Sequence, residues 1–165
     1  MIDSKFIDDV LDAGELLDVS EYPLKDTKHG IDLEQCVERA RAHKGKLLWK
    51  MPIYCTEDVK NGVDCYQAIA TANGAIFMVY RARSGTTIKP TTAEEDGGAP
   101  PEPVYLITGS SEKDRKLWPK FEKMAREGNM EPRIVFTDWL LNAALTQEVT
   151  YEDRFKAQKY FEDGA

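Results

Sequence analysis

Pro132-Arg133-Ile134-Val135-Phe136-Thr137-Asp138-Trp139-Leu140-Leu141 is the stretch that decides the fold. Arg133 to Phe136 is β-rich, and a helix opens directly behind it. Thr137 is the expected N-cap, because its hydroxyl can accept from an orphan amide of the first turn. Asp138 in that turn complements the helix dipole. Trp139, Leu140 and Ala143 or Ala144 recur at helical spacing and form one apolar stripe. Trp139 is therefore expected to be buried in the core.

Upstream, Met51 to Cys55 reads as a first strand. Val63 to Asn73 reads as a helix with Tyr66, Ile69, Ala70 and Asn73 near one face, and Gly74 stops it. Ala75 to Tyr80 is an apolar run too short for an independent helix, so a buried strand fits it. Val104 to Thr108 is a third strand. Ser110 to Glu127 reads as one helix, with Leu117, Trp118, Phe121, Met124 and Ala125 on its apolar side and Gly128 at its end. The order is β-α-β-β-α-β-α over roughly residues 46–148. Parallel connections need crossovers, and two of the three supply a helix.

The third connection, Arg81 to Pro103, has almost nothing apolar to bury. It carries Thr86, Thr87, Thr91 and Thr92, four prolines and the acidic run Glu94-Glu95-Asp96. A structureless segment of this length is either disordered or functional.

A strand feeding a Thr-Asp-Trp helix, at the end of this element order, resembles the closing unit of a BRCT repeat. The Asn73-Gly74 pair matches that family's glycine turn. The resemblance implies an α/β fold: a four-stranded parallel sheet flanked by helices, here with an N-terminal helical extension. It also implies a non-catalytic module that binds other proteins.

Ser4 to Ala13 is an amphipathic helix (Phe6, Ile7, Val10, Leu11) stopped by Gly14, and Leu16, Leu17, Val19, Tyr22, Pro23 and Leu24 follow as an extended apolar segment. This weakly echoes residues 137–149, with Phe6 in the place of Trp139. It resembles the last helix and exit segment of another BRCT repeat. Asp32 is the expected N-cap of a further helix with Leu33, Cys36, Val37 and Ala40 on one stripe. That stretch resembles the linker of tandem-BRCT scaffolds of the DNA-damage response, most of all fungal genome-maintenance scaffolds. Residues 1–24 are thus expected to close a preceding, truncated repeat, 25–46 to link, and 47–165 to form a BRCT repeat with a disordered loop at about 81–103. The other reading makes the first helix an appendage packed on this domain's own surface.

Composition narrows the classes. The chain has 165 residues, 42% hydrophobic and 31% charged, enough for one core with appended structure. No apolar run approaches a membrane span, and no signal peptide precedes the first helix. Cys36, Cys55 and Cys65 show no paired spacing and read as reduced thiols. His29 and His43 lack a ligand-spaced Cys or acidic partner, so neither metal nor cofactor is expected. The net charge of −7 argues against a primary duplex-binding surface. The basic clusters Arg39, Arg41, Lys44, Lys46 and Lys113 to Lys123 remain local, the second being read as a solvated helix face.

No common catalytic motif is present. The turn Thr108-Gly109-Ser110-Ser111-Glu112-Lys113 joins a strand to a helix N-terminus. Such a turn can hold an anion. Equally, Ser110 or Ser111 can simply cap the helix. By resemblance, a BRCT phosphate pocket takes a Ser or Thr followed by Gly after the first strand and a Lys at the second helix. Thr56, Ser110, Ser111 and Lys113 stand at those places, but Glu57 replaces the glycine, so the pocket is expected to be degenerate. The wall that reads residues beyond the phosphate would carry over to Asn61, Val63, Tyr66, Asn142 and Thr146, while Trp139 and Gly74 are structural. The expected partner is a phosphorylated protein tail, such as a histone tail, read together with a preceding repeat in the nucleus. Direct nucleic-acid or membrane contact is not expected; self-association through the first helix is. The alternative is a small nucleotide- or phosphate-binding domain using residues 108–113.

Overall fold

Four short runs of β-branched and aromatic residues pair into one sheet in this computed structural model, which describes residues 2–22, 25–26, 28–81 and 97–159. In chain order the elements are α1 (Lys5–Ala13), α2 (Leu33–His43), β1 (Pro52–Cys55), α3 (Val63–Ala72), β2 (Ile76–Val79), β3 (Glu102–Thr108), α4 (Glu112–Arg115), α5 (Trp118–Glu127), β4 (Met130–Phe136) and α6 (Thr137–Thr146). The strand order is β2-β1-β3-β4, and every pairing is parallel.

Alternation along the strands divides the core into two layers. Ile53, Cys55, Tyr105, Ile107 and Val135 face Tyr66, Ala70, Trp139 and Leu140 of α3 and α6. Tyr54, Val104, Leu106 and Ile134 face Leu117, Trp118, Phe121 and Ala125 around α5. Both faces of the central strands are covered, which is why β3 reads as a continuous apolar run. Trp139 is 1% exposed, its ring stacks on Tyr105 with centroids 4.0 Å apart, and its Nε1 donates to the Thr150 carbonyl at 2.6 Å.

Several expectations shift. The helix over Ser110 to Glu127 is two helices, because Pro119 has no amide to give the Arg115 carbonyl and its ring would crowd that turn. Phe136, not Thr137, is the N-cap of α6; Thr137 is already helical and no side chain caps the turn. β4 starts at Met130, three residues earlier than expected, and tolerates Pro132 because it is the sheet's outer strand. β2 is likewise an edge strand and only partly buried, with Ile76 exposed. Glu102 and Pro103, placed in the long loop, open β3, and the Asn129 side chain donates to the Ala99 carbonyl at 3.1 Å. Residues 82–96 of that loop, with all four threonines, lie outside the described residues, as do Pro23 and Leu24.

The linker helix α2 docks on the end of α6. Asp32 caps it by accepting from the Gln35 amide at 3.1 Å. Leu33 and Cys36 are buried, whereas Ala40, expected on the same stripe, is exposed. Arg39 donates to the Thr146 carbonyl at 2.8 Å, supplying a cation where α6 leaves its last carbonyls open. α1 buries none of its residues. Phe6 meets Tyr22 edge-on, and the Tyr22 hydroxyl donates to Asp9 at 2.8 Å, but Ile7, Leu11 and Leu16 stay 61–84% exposed.

Candidate functional site

The chain leaves β1 for β2 on one side and later returns to β3 on the other. The carboxyl ends of β1 and β3 therefore flank a topological switch point, the place where open α/β sheets bind ligands. Thr56 follows β1 and Gly109 follows β3, and the Gly109 amide donates to Thr56 Oγ1 at 3.3 Å. The residues singled out in the 108–113 turn and after the first strand do converge here.

The site already contains an acidic group of its own. Asp114 is 1% exposed, and its Oδ2 accepts from the Gly109 amide at 3.1 Å. The Thr56 hydroxyl and the Asp58 amide also donate to this carboxylate. Burial pushes the Asp114 carboxyl above its ordinary range, against the hydrogen bond from Thr56; the Asp58 charge adds to the rise, and the two amides oppose it. Next to it, burial and then the Asp114 charge push the Cys55 thiol up to about 12. Gly109 is needed for this closure: a Cβ there would lie 2.5 Å from Asp114 Oδ2 and 2.9 Å from the Asp58 carbonyl.

Ser111 is the N-cap of α4: its Oγ accepts from the Asp114 amide at 3.1 Å and donates to Asp58 at 3.4 Å. Ser110 is exposed and has no capping role. Lys113 Nζ lies 3.5 Å from Asp58 and 3.9 Å from Glu57. Beside it opens a cleft of about 710 Å³ lined by Glu57, Arg81, Lys113, Lys116, Leu117 and Lys120 among others. Arg81 pairs with Glu57 at 2.7 Å and Lys116 with Glu112 at 2.8 Å. Lys116 and Lys120 belong to the basic cluster read from sequence as a solvated helix face, and Arg81 is not singled out there as a site residue, since it lies far from the glycine turn along the chain. The cleft's cations are largely neutralised by its own carboxylates.

The residues expected to form a peptide wall stand in different settings. Tyr66 is 2% exposed, packed in the core with its hydroxyl donating to the Lys60 carbonyl at 2.7 Å, so it offers no wall. Asn61 and Val63 stand at the turn into α3, Asn61 with φ 70°. Asn142 lines a different groove, of about 730 Å³, with Ile31, Leu141, Leu145 and Phe155. Thr146 spends its hydroxyl on the Asn142 carbonyl at 2.8 Å. Gly74 has φ +86°, and a Cβ there would lie 3.1 Å from the Trp49 ring. His29 does have an acidic partner, Asp26, at 3.0 Å, which local turn geometry brings together. Among the described residues no group of three His, Cys, Asp or Glu side chains could hold a metal. No described helix is long and apolar enough to cross a membrane.

A parallel sheet ordered β2-β1-β3-β4, with α3 and α6 on one face and α5 on the other, is the BRCT fold. The chain is 28% identical over 158 residues to BRCT-containing protein 1 of Schizosaccharomyces pombe, an alignment covering 90% of this chain and 17% of that protein. No family model matches the chain. Among solved structures, the S. pombe Brc1 BRCT5-BRCT6 domains superpose with a TM-score of 0.59 at 21% identity, covering 94% of this chain and 70% of that one. Rtt107p, in a complex with a phosphorylated histone, superposes with a TM-score of 0.60 at 17% identity, covering 94% of this chain and 64% of that one.

Proposed function

We propose that this chain is a non-catalytic interaction module: the second half of a phosphopeptide-binding BRCT tandem in a nuclear scaffold of the DNA-damage response. The observation that carries this reading is the filled switch point, where Asp114 holds the donors a phosphate would need. A repeat so closed contributes contacts beyond the phosphate and leaves the charge-assisted bonds to its neighbour. The apolar residues of α1 that nothing in the described structure covers support placing residues 1–24 against a preceding repeat. So does the alignment of 94% of the chain with a two-repeat structure. The phosphorylated histone bound by Rtt107p makes a phosphorylated histone tail the partner to test first. The buried carboxylate also counts against a nucleotide-binding domain built on residues 108–113.

The test compares this chain with a version extended upstream through a complete repeat. Phosphopeptide affinity and phosphate dependence should both appear in the extended protein. Equal, phosphate-blind binding by the two would contradict the reading.

A further inference from the structure

Trp49 lies before β1, at the end of the sheet opposite the Asp114 crevice, and it is 57% exposed. The other two tryptophans, Trp118 and Trp139, are buried. An exposed indole needs an explanation when it is also held rigidly, and this one is. The Leu48 amide donates to the Asn73 carbonyl at 2.8 Å and the Lys50 amide to the Gly74 carbonyl at 2.9 Å, on either side of it. The ring lies against Gly74, where even a methyl group would crowd it. Lys44 and Lys50 adopt positive φ, of 51° and 59°, which side-chain-bearing residues seldom do.

Charge gathers around this ring. Lys46 Nζ lies over the ring at 5.0 Å and Lys50 Nζ at 5.8 Å from its centroid, cation–π contacts that a stacking base would displace. From Arg39 to Lys50 the chain carries Arg39, Arg41, Lys44, Lys46 and Lys50 without one carboxylate. Arg39 is used on α6, but Arg41, Lys44, Lys46 and Lys50 make no ion pair among the described residues. The negative net charge of the chain thus conceals a carboxylate-free basic segment, residues 39–50, that carries an exposed indole flanked by two lysines.

We propose that this surface binds single-stranded nucleic acid, one base stacking on Trp49 and the neighbouring lysines meeting the phosphates. Two features favour a single strand over other polyanions. An unpaired base offers a face to an indole, which a duplex keeps inside its stack, and base–aromatic stacking adds to phosphate neutralisation. An acidic peptide would draw the lysines off the ring and gain nothing from the indole face they uncover, whereas a base replaces them there by stacking. The surface is independent of the phosphopeptide reading, which concerns the other end of β1.

The test titrates the protein with an oligothymidylate of about ten nucleotides, within the usual range of single-strand site sizes. Indole fluorescence is the readout, since Trp49 alone of the three tryptophans is exposed. Quenching and salt-dependent binding are expected. Trp49→Ala should weaken binding at least about fivefold. Lys46→Gln combined with Lys50→Gln should flatten the dependence of log K on log salt by roughly 1.4, at about 0.7 for each phosphate no longer neutralised. The lysine variant leaves Gly74 and the ring in place, so it decides the matter if Trp49→Ala does not fold. Absence of quenching, equal affinity for a duplex of the same length, or equal affinity and quenching with polyglutamate would each overturn the proposal.

Discussion

Asp114 is the residue on which most of the local chemistry turns. Its carboxyl is raised in the fold by burial, so the native state keeps a proton that the unfolded chain releases above about 3.8. Stability from this group is full below that value and falls as pH rises through the higher folded value. Asp114→Asn imitates the protonated form and removes the dependence. In denaturant titrations the variant should therefore gain on the wild type as pH rises above about 3.8. If the wild type gains instead, the hydrogen bonds from Thr56 and from the Gly109 and Asp58 amides outweigh burial and the direction is wrong. Trp139 is a separate case with a larger effect. Trp139→Ala empties a fully buried site stacked on Tyr105 and should cost about 3–5 kcal/mol. A variant melting within a degree or two of wild type would exclude an anchoring role.

The elements show which physical signals a single sequence carries. Val104 to Thr108 and the Trp139 stripe were legible because burial on fixed faces imposes a pattern on consecutive residues. The division of α4 from α5 was also written in the chain, at Pro119, but the apolar period ran through it and masked the break. Edge position was not legible: Ala75 to Tyr80 has the composition of a central strand, and only the tertiary order β2-β1-β3-β4 puts it outside. The candidate site was half legible. Ser111 and Lys113 stand out by their local setting and Thr56 only through the family resemblance, whereas Asp114 reads as an ordinary first-turn acid, because its burial depends on Thr56, over fifty positions away in sequence. α1 carries its own test at this scale. With Ile7, Leu11 and Leu16 exposed, sedimentation should show concentration-dependent association, and Leu11→Lys should abolish it. A clean monomer at high concentration, with α1 amides protected from exchange, would show that the stripe is covered within the molecule.

For the molecule as a whole, the sheet separates two ends with different prospects. At the carboxyl ends of β1 and β3 an internal carboxylate satisfies the donors, and carboxylates neutralise Arg81, Lys113 and Lys116. At the other end, a rigid indole stands among lysines that have no ion-pair partner among the described residues. The decisive measurement is calorimetry of this chain with a phosphorylated histone-tail peptide and its unphosphorylated twin. Binding should be weak, at about −5 to −6 kcal/mol or less favourable, and nearly the same for both peptides. Low-micromolar, phosphate-dependent binding that disappears in Lys113→Ala would contradict the assignment and make the switch point a working phosphate site.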